Sequence, residues 1–221
     1  MRPFEEDLAV LNEALQEMGA LVAHAVQRSV RSLVEKNEDY AHQVIRDESR
    51  VDQMEIQIDD MVATLIVREQ PVARDMRLIV AAIKISTDLE RMGDLAVHVA
   101  ERSLSLMAQS PLPEHVDFED LVGLVESMVL GSLDSFVKRD AQVARSILES
   151  DNAVDSGRAR IQNQLIALMQ RDSTTITRSL DYLIIARKLE RIADHATNIA
   201  EDVIFLSQGI DVRDRSAVEV G

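Results

Sequence analysis

Apolar residues recur along this chain at steps of three and four positions, the spacing that places them on one face of an α-helix. The N-terminal segment shows this pattern clearly, with Leu8, Leu11, Leu15, Met18 and Val22 on one face. The same periodicity predicts six long helices in the chain. They span residues 4–36, 39–68, 72–108, 116–137, 141–170 and 174–208.

The breaks between these segments contain residues that begin or end helices. Asn37 can cap a helix, Pro71 suits the start of one, and Ser173–Thr175 is predicted to cap the sixth helix. The Pro-containing stretch at residues 110–113 is the clearest linker, and it divides the chain nearly in half. Each half therefore holds three helices with short connections, which favours antiparallel packing.

We accordingly predict an all-α protein made of two tandem, pseudo-symmetric antiparallel three-helix bundles. The first bundle would cover residues 1–110, the second residues 114–208, and residues 209–221 would form a flexible tail. The composition agrees with this fold, because 46% of the residues are hydrophobic while 7 Gly and 4 Pro allow few turns.

The two halves also resemble each other in sequence. When the first half is shifted by 100 residues, 8 of the 22 positions in residues 80–101 are identical to those in residues 180–201. The matches include Glu90, Arg91 and Asp94, which are polar, so the shared amphipathic composition of helices does not explain them. We infer an internal duplication.

The net charge of −15 and the absence of a basic cluster argue against nucleic acid as a partner. Acidity is compatible with solubility alone, and also with a protein that attracts cations or basic partner surfaces. The chain has no Cys, which excludes disulfides, thiolate metal sites and cysteine catalysis. The N-terminus lacks the apolar core of a signal peptide, and no apolar run approaches about 18 residues, so we expect no direct membrane insertion. The absence of Cys is compatible with a cytoplasmic location.

Carboxylates form rows along four of the predicted helices. In the third helix the row has the spacing i, i+4, i+8 and i+11, which keeps it within an arc of about 80°. The sixth helix repeats this row, and the second and fifth helices carry an acidic pair at i and i+4 in equivalent places. The candidate metal ligands are Glu48, Asp52, Glu90, Asp94, His98, Glu101, Asp151, Asp155, Glu190, Asp194, Asn198 and Glu201.

Metal binding would explain these rows physically. Like charges at i and i+4 destabilise a helix by about 0.2–0.5 kcal/mol per pair, and facing rows would add to the repulsion. A bound cation removes this repulsion, and carboxylate oxygens suit magnesium, manganese, calcium or iron. The alternative is a solvated acidic surface that Arg91 and Arg191 partly neutralise. The ferritin-like Glu-x-x-His signature, Gly-rich phosphate loops and the His-Glu-x-x-His motif are all absent.

These motifs resemble the PhoU family. Residues 190–201, Glu-Arg-Ile-Ala-Asp-His-Ala-Thr-Asn-Ile-Ala-Glu, are the more typical copy, and residues 90–94 are the first-half counterpart. The opening at residues 4–8 and the entry to the third helix at residues 72–77 are also similar to the family. The resemblance covers essentially the whole chain up to about residue 209.

The resemblance implies a cytoplasmic, non-enzymatic negative regulator of phosphate uptake and phosphate-starvation signalling. Such a protein would act between the ATPase subunit of a phosphate ABC transporter and a sensor histidine kinase, and a homodimer is compatible with this role. The resemblance also implies multinuclear metal clusters, with iron, manganese or magnesium as candidates, held by the four acidic pairs.

The second half departs from this pattern. Asp151 stands where the first half has a Glu, and residues 156–158 show no second acidic turn like that formed by Glu55 and Asp59. The existence of the second cluster therefore stays open. Two other hypotheses also stay open, namely a carboxylate-bridged metal-dependent enzyme or metal store, and a purely structural helical protein.

Overall fold

Six α-helices make up the protein in the computed structural model, which describes residues 3–69, 71 and 73–209. This arrangement confirms the predicted all-α fold. The bounds are α1 Pro3–Val34, α2 Glu38–Glu69, α3 Ala73–Met107, α4 Glu119–Lys138, α5 Ala141–Arg171 and α6 Ile176–Gln208, with a 3₁₀ turn at Ser173–Thr175. Within the described part of the chain, no helix is both long and apolar enough to cross a membrane.

The helix ends show where short-range reasoning from sequence succeeds and where it fails. Asn37 caps α2 as predicted, since its Oδ1 accepts a hydrogen bond from the backbone N–H of Asp39 at 2.9 Å. The predicted cap at Ser173–Thr175 is right in position only: Thr175 is the N-cap residue of α6, but its side chain makes no capping hydrogen bond. The capping side chain is Asp172, which accepts the backbone N–H of Thr174 at 2.9 Å. Thr175 is buried and donates its hydroxyl to the Asp172 carbonyl, so it closes the 3₁₀ turn that precedes α6.

Each half is a set of three mutually contacting helices, α1–α3 and α4–α6, and one continuous aliphatic core joins the two sets. The predicted limits at residues 110 and 114 lie in the connection between α3 and α4. Gly209 ends α6 with a φ of 71°, a left-handed conformation that glycine adopts at no steric cost. The rest of the predicted tail, residues 210–221, lies outside the described residues.

Helices α3 and α6 form the main contact between the halves, and they run antiparallel. Early α3 meets late α6 through Lys84 Nζ and Asp202 Oδ1, which are 3.2 Å apart. Late α3 meets early α6 through Arg102 Nη1 and Asp181 Oδ1, also 3.2 Å apart. Both aspartates are buried, Asp202 at 3% and Asp181 at 6% exposure. Paired charges at each end therefore fix the register of the two helices.

Removing the α5 cap should destabilise the protein measurably. Asp140 Oδ1 accepts hydrogen bonds from the backbone N–H groups of Gln142 at 2.8 Å and Val143 at 3.2 Å. We expect Asp140→Ala to lower the free energy of unfolding by about 1 kcal/mol, because both N–H groups lose their partner. Urea unfolding would measure this change. Asp134→Ala is the control, since it removes only an exposed pair with Lys138 and should cost clearly less. Equal losses in the two variants would contradict the cap assignment.

Candidate metal centre

Helices α2 and α3 bring four carboxylates together in the first half. Glu48 and Asp52 lie one turn apart on α2, and Glu90 and Asp94 lie one turn apart on α3. We call these four residues the first acidic cluster. Asp52, Glu90 and Asp94 each offer an oxygen, and the three oxygens lie within 4.8 Å of one another. Three oxygens at such distances form a set that one cation could bind.

Glu90 is the most informative member of the first acidic cluster. Its Oε2 atom is buried and has no hydrogen-bond partner. Arg91 Nε lies 3.3 Å from this oxygen, but it forms only an ion pair and no aligned hydrogen bond. A buried carboxylate oxygen without a donor is destabilising, and a cation would remove the penalty. The residues of the first acidic cluster therefore fit a metal ion.

Electrostatics around Glu48 show which other side chains approach the first acidic cluster. Burial raises the pKa of Glu48, and the charges of Asp52, Asp94 and Glu101 raise it further, while His98 opposes them. His98 and Glu101 are exposed, and they lie near Glu48 at the side of the cluster. They are not part of the three-oxygen group. Their role as ligands stays a prediction.

The pKa of Glu90 is raised as well. Burial is the largest cause, followed by the repulsion of Asp94, and Arg91 lowers the pKa only in part. Glu55, which lies one turn after Asp52 on α2, also repels Glu90 and raises its pKa. The charge of Arg91 therefore does not offset the burial and the repulsion that act on Glu90.

A pocket of about 190 Å³ opens beside the first acidic cluster. Its opposite wall comes from α1, where His24 and Arg28 lie one turn apart. Arg28 Nη1 is 3.2 Å from Asp47 Oδ2 on α2. The predicted site did not include these α1 residues, and the only signal for them in the sequence is their i, i+4 spacing beside the apolar stripe of α1.

Helices α5 and α6 bring together the corresponding four carboxylates of the second half. Asp151, Asp155, Glu190 and Asp194 form what we call the second acidic cluster. Among the described residues, no three of these side chains offer oxygens within 4.8 Å of one another, as Asp52, Glu90 and Asp94 do in the first half. Arg158 enters it instead, with Nε 2.8 Å from Glu190 Oε1. Because a guanidinium already occupies part of this cluster, its residues fit a metal ion less well than those of the first.

The pKa shifts show that the carboxylates of the second acidic cluster interact. Burial raises the pKa of Asp151, and the charges of Asp155 and Asp194 add to the effect. Burial also raises the pKa of Glu190. The charge of Arg158 lowers this pKa in part, and a hydrogen bond with Asp155 raises it further. Asp194 shows a raised pKa from burial and from Asp155. Each of the four carboxylates therefore lies close enough to at least one other to affect its pKa.

Asn198, a candidate metal ligand in the sequence, contacts helix α3 of the first half in the structure. Its Nδ2 donates to Asp88 Oδ1 on α3 at 3.1 Å, and His195 Nδ1 lies 2.7 Å from the same oxygen. Asn198 thus contacts the first half, and its role as a metal ligand stays a prediction. Glu201 is partly buried one turn further along α6, and its role likewise stays a prediction. The sequence does not predict the Asp88–His195 contact, because nothing in α3 or α6 alone indicates the partner of either residue.

The pH dependence of stability should follow these shifts. A carboxyl with a raised pKa binds its proton more tightly in the folded chain, so protonation favours folding. This contribution is complete below the ordinary values of 3.8 for Asp and 4.5 for Glu. It is lost as the pH rises through the raised values. The groups concerned are Glu48, Glu90, Glu126, Asp151, Glu190 and Asp194.

For these groups we expect the metal-free protein to lose stability as the pH rises above the ordinary values of 3.8 for Asp and 4.5 for Glu. Thermal unfolding in the presence of a chelator would measure this change. Asp172 opposes the trend, because hydrogen bonds from Thr174 lower its pKa, and an Asp172→Asn background removes that contribution. A variant with Glu48→Gln and Asp151→Asn should show a flatter dependence. An unchanged slope in this variant would contradict the assignment.

Comparison with known proteins gives a consistent result over both halves. A protein-family model described as the PhoU domain matches residues 15–103 and again residues 118–203. The chain is 37% identical over 211 residues to the phosphate-specific transport system accessory protein PhoU homolog of Pseudomonas aeruginosa, covering 95% of this chain and 87% of that protein. It is 33% identical over 214 residues to the homolog of the same name from Clostridium acetobutylicum, covering 96% of this chain and 98% of that protein.

Solved structures agree with the sequence comparisons. The crystal structure of PhoU from Pseudomonas aeruginosa superposes with a TM-score of 0.91 at 36% identity, covering 94% of this chain and 100% of that one. The crystal structure of the phosphate transport system regulatory protein PhoU from Streptococcus pneumoniae superposes with a TM-score of 0.85 at 26% identity, covering 95% of this chain and 99% of that one. The family matches, the relatives and the structures all span both halves, and the chain belongs to the PhoU family.

Proposed function

We propose that this protein is an accessory regulator of a phosphate-specific transport system and a negative regulator of phosphate-starvation signalling. The observation that carries the proposal is the match of both halves to the PhoU domain. Relatives that align over nearly the whole chain bear the name of phosphate transport accessory proteins. The role is that of a cytoplasmic adaptor, without catalysis of its own.

The proposed partners are the ATPase subunit of the phosphate ABC transporter and a sensor histidine kinase. A net charge of −15 favours partners that present a basic surface, and it accelerates their encounter at low ionic strength. Association as a homodimer is compatible with this role.

The first acidic cluster would hold a divalent or trivalent ion, with iron, manganese or magnesium as the candidates. Asp52, Glu90 and Asp94 supply oxygens within 4.8 Å of one another, and the buried Oε2 of Glu90 has no hydrogen-bond partner. The ion would compensate this charge and hold α2 and α3 in place. It would thereby shape the surface that the partners contact.

A phosphate-responsive reporter in a strain that lacks the gene would test the regulatory role. We expect derepressed reporter activity at high phosphate and restored repression when the wild-type chain is supplied. Pull-down with the purified transporter ATPase and with the kinase should each retain the protein. Reporter activity that does not respond to the deletion, together with failure of both pull-downs, would overturn the proposal.

A metal-dependent enzyme or a metal store is the second candidate, because a pocket opens on the first acidic cluster. Its volume of about 190 Å³ is below the range of about 300–1,000 Å³ that is usual for small-molecule sites. Turnover of a phosphate ester or of peroxide by metal-loaded protein, abolished by Glu90→Gln, would support this candidate over the adaptor.

A further inference from the structure

The two acidic clusters differ by a reversal of charge at one position. An offset of 103 residues places Glu48 on Asp151 and Asp52 on Asp155. One turn further along, the same offset places Glu55 of α2 on Arg158 of α5. Because this position changes from −1 to +1, the two halves differ there by two charge units.

A second difference follows in the same register. Asp59 of α2 corresponds to Gln162 of α5 under the 103-residue offset. Gln162 Oε1 accepts a hydrogen bond from Arg158 Nη1 at 2.6 Å. The second half therefore has both a cation and a neutral side chain that fixes its orientation, where the first half has two acids.

Arg158 lies against the carboxylates of the second cluster. Its Nε is 2.8 Å from Glu190 Oε1, and the two side chains are only 30% and 21% exposed. The Nε–H group is not aligned for a hydrogen bond, so the contact is an ion pair. In the first half, the corresponding Glu55 repels Glu90 instead and accepts a weak contact from Thr87 at 3.4 Å. The arginines Arg91 and Arg191 occur in both halves and do not account for the difference.

We propose that the Arg158 guanidinium is the permanent counter-cation of the second acidic cluster, and that metal ions bind only at the first. The second clause rests on the proposed metal binding by this protein. A guanidinium stays charged at every physiological pH, so it compensates the carboxylates continuously. A metal ion that enters the second cluster would have to displace this guanidinium, or it would be repelled by the guanidinium charge at short range.

Manganese titration tests which cluster binds metal. Mn²⁺ would be titrated calorimetrically into chelator-stripped wild-type protein and into the matched variants Glu90→Gln and Glu190→Gln. We expect Glu90→Gln to weaken binding by at least about 10-fold and Glu190→Gln to leave stoichiometry and affinity unchanged. Loss of a bound equivalent in Glu190→Gln would overturn the assignment of metal to the first half alone.

Exchanging the charges gives the reciprocal test. Arg158→Glu restores the acid that the first half has at this position, and it should add Mn²⁺ binding to the second half. Glu55→Arg places the guanidinium in the first half, and it should weaken Mn²⁺ binding there by at least about 10-fold. If Arg158→Glu gains no binding and Glu55→Arg loses none, the charge at this position does not govern metal binding, and the proposal is overturned.

Thermal unfolding without metal tests the counter-cation role separately. In the presence of a chelator, Arg158→Gln should lower Tm by about 2–4 °C, since it leaves Glu190 without its cation. Glu55→Gln removes a repulsion and should leave Tm unchanged or raise it. An Arg158→Gln variant that melts at or above the wild-type temperature would overturn the role of Arg158. Absence of Mn²⁺ binding in the wild type would overturn the metal part of both proposals, while the melting temperatures would still decide the role of Arg158.

Discussion

Leu189→Ala should lower the free energy of unfolding by about 3–5 kcal/mol, the largest effect that we expect from one substitution. Leu189 is fully buried in α6, in the core shared by both halves. The substitution removes apolar area from the core and leaves a cavity that long, mutually packed helices cannot close easily. Its repeat counterpart Leu89 in α3 is equally buried, and Leu89→Ala should have a similar effect.

Urea unfolding at fixed pH would measure both losses. The control is Leu180→Ala, on the same helix but with 48% of the residue exposed, which should change stability by about 0.5 kcal/mol or less. If Leu189→Ala and Leu180→Ala have comparable effects, α6 does not contribute to the core as the structure places it.

The double variant Glu90→Gln and Asp94→Asn should weaken Mn²⁺ binding by about 100-fold or more. It changes two of the three oxygen donors that lie within 4.8 Å of one another, while the amides keep the size of the side chains. The same change relieves the repulsion between these residues, so the metal-free variant should be at least as stable as the wild type. Calorimetric titration and thermal unfolding would measure the two effects.

A matched control separates the loss of ligands from the loss of net charge. Glu13 and Glu17 form an i, i+4 pair of exposed acids on α1, so Glu13→Gln with Glu17→Gln removes the same charge outside the cluster. This control should change Mn²⁺ affinity by less than about 3-fold, because exposed charges at a distance are screened. Equal weakening in both double variants would mean that Mn²⁺ responds to overall charge rather than to a defined site.

The fold and the acidic clusters were largely predictable from sequence for one physical reason. Helical periodicity fixes which residues share a face, and acids at i and i+4 must then be neighbours. For this reason the pairs Glu48/Asp52 and Glu90/Asp94 follow from the spacing of acids along the chain. The internal repeat then predicts that Asp151/Asp155 and Glu190/Asp194 occupy the corresponding positions in the second half.

The contacts between helices were not predictable in the same way. Periodicity indicates the buried face of a helix but does not identify the helix that covers it. The α1 wall of the pocket with His24, the contact of Asn198 with Asp88, and the ion pair of Arg158 with Glu190 all depend on such choices. The long side chain of arginine adds to the difficulty, because it reaches several alternative partners from one backbone position.

The ion pairs between α3 and α6 have a consequence for self-association. Under the 100-residue repeat, Arg102 of α3 corresponds to Asp202 of α6, so one structural position has opposite charges in the two halves. Two copies of α3 in the observed register would place Arg102 against Lys84, and two copies of α6 would place Asp202 against Asp181. The two aspartates are buried and would repel each other strongly, whereas Lys84 and Arg102 are partly exposed and would repel each other less. These charges therefore favour pairing between the two different halves over pairing between identical halves, which helps a duplicated sequence to fold with the correct pairing.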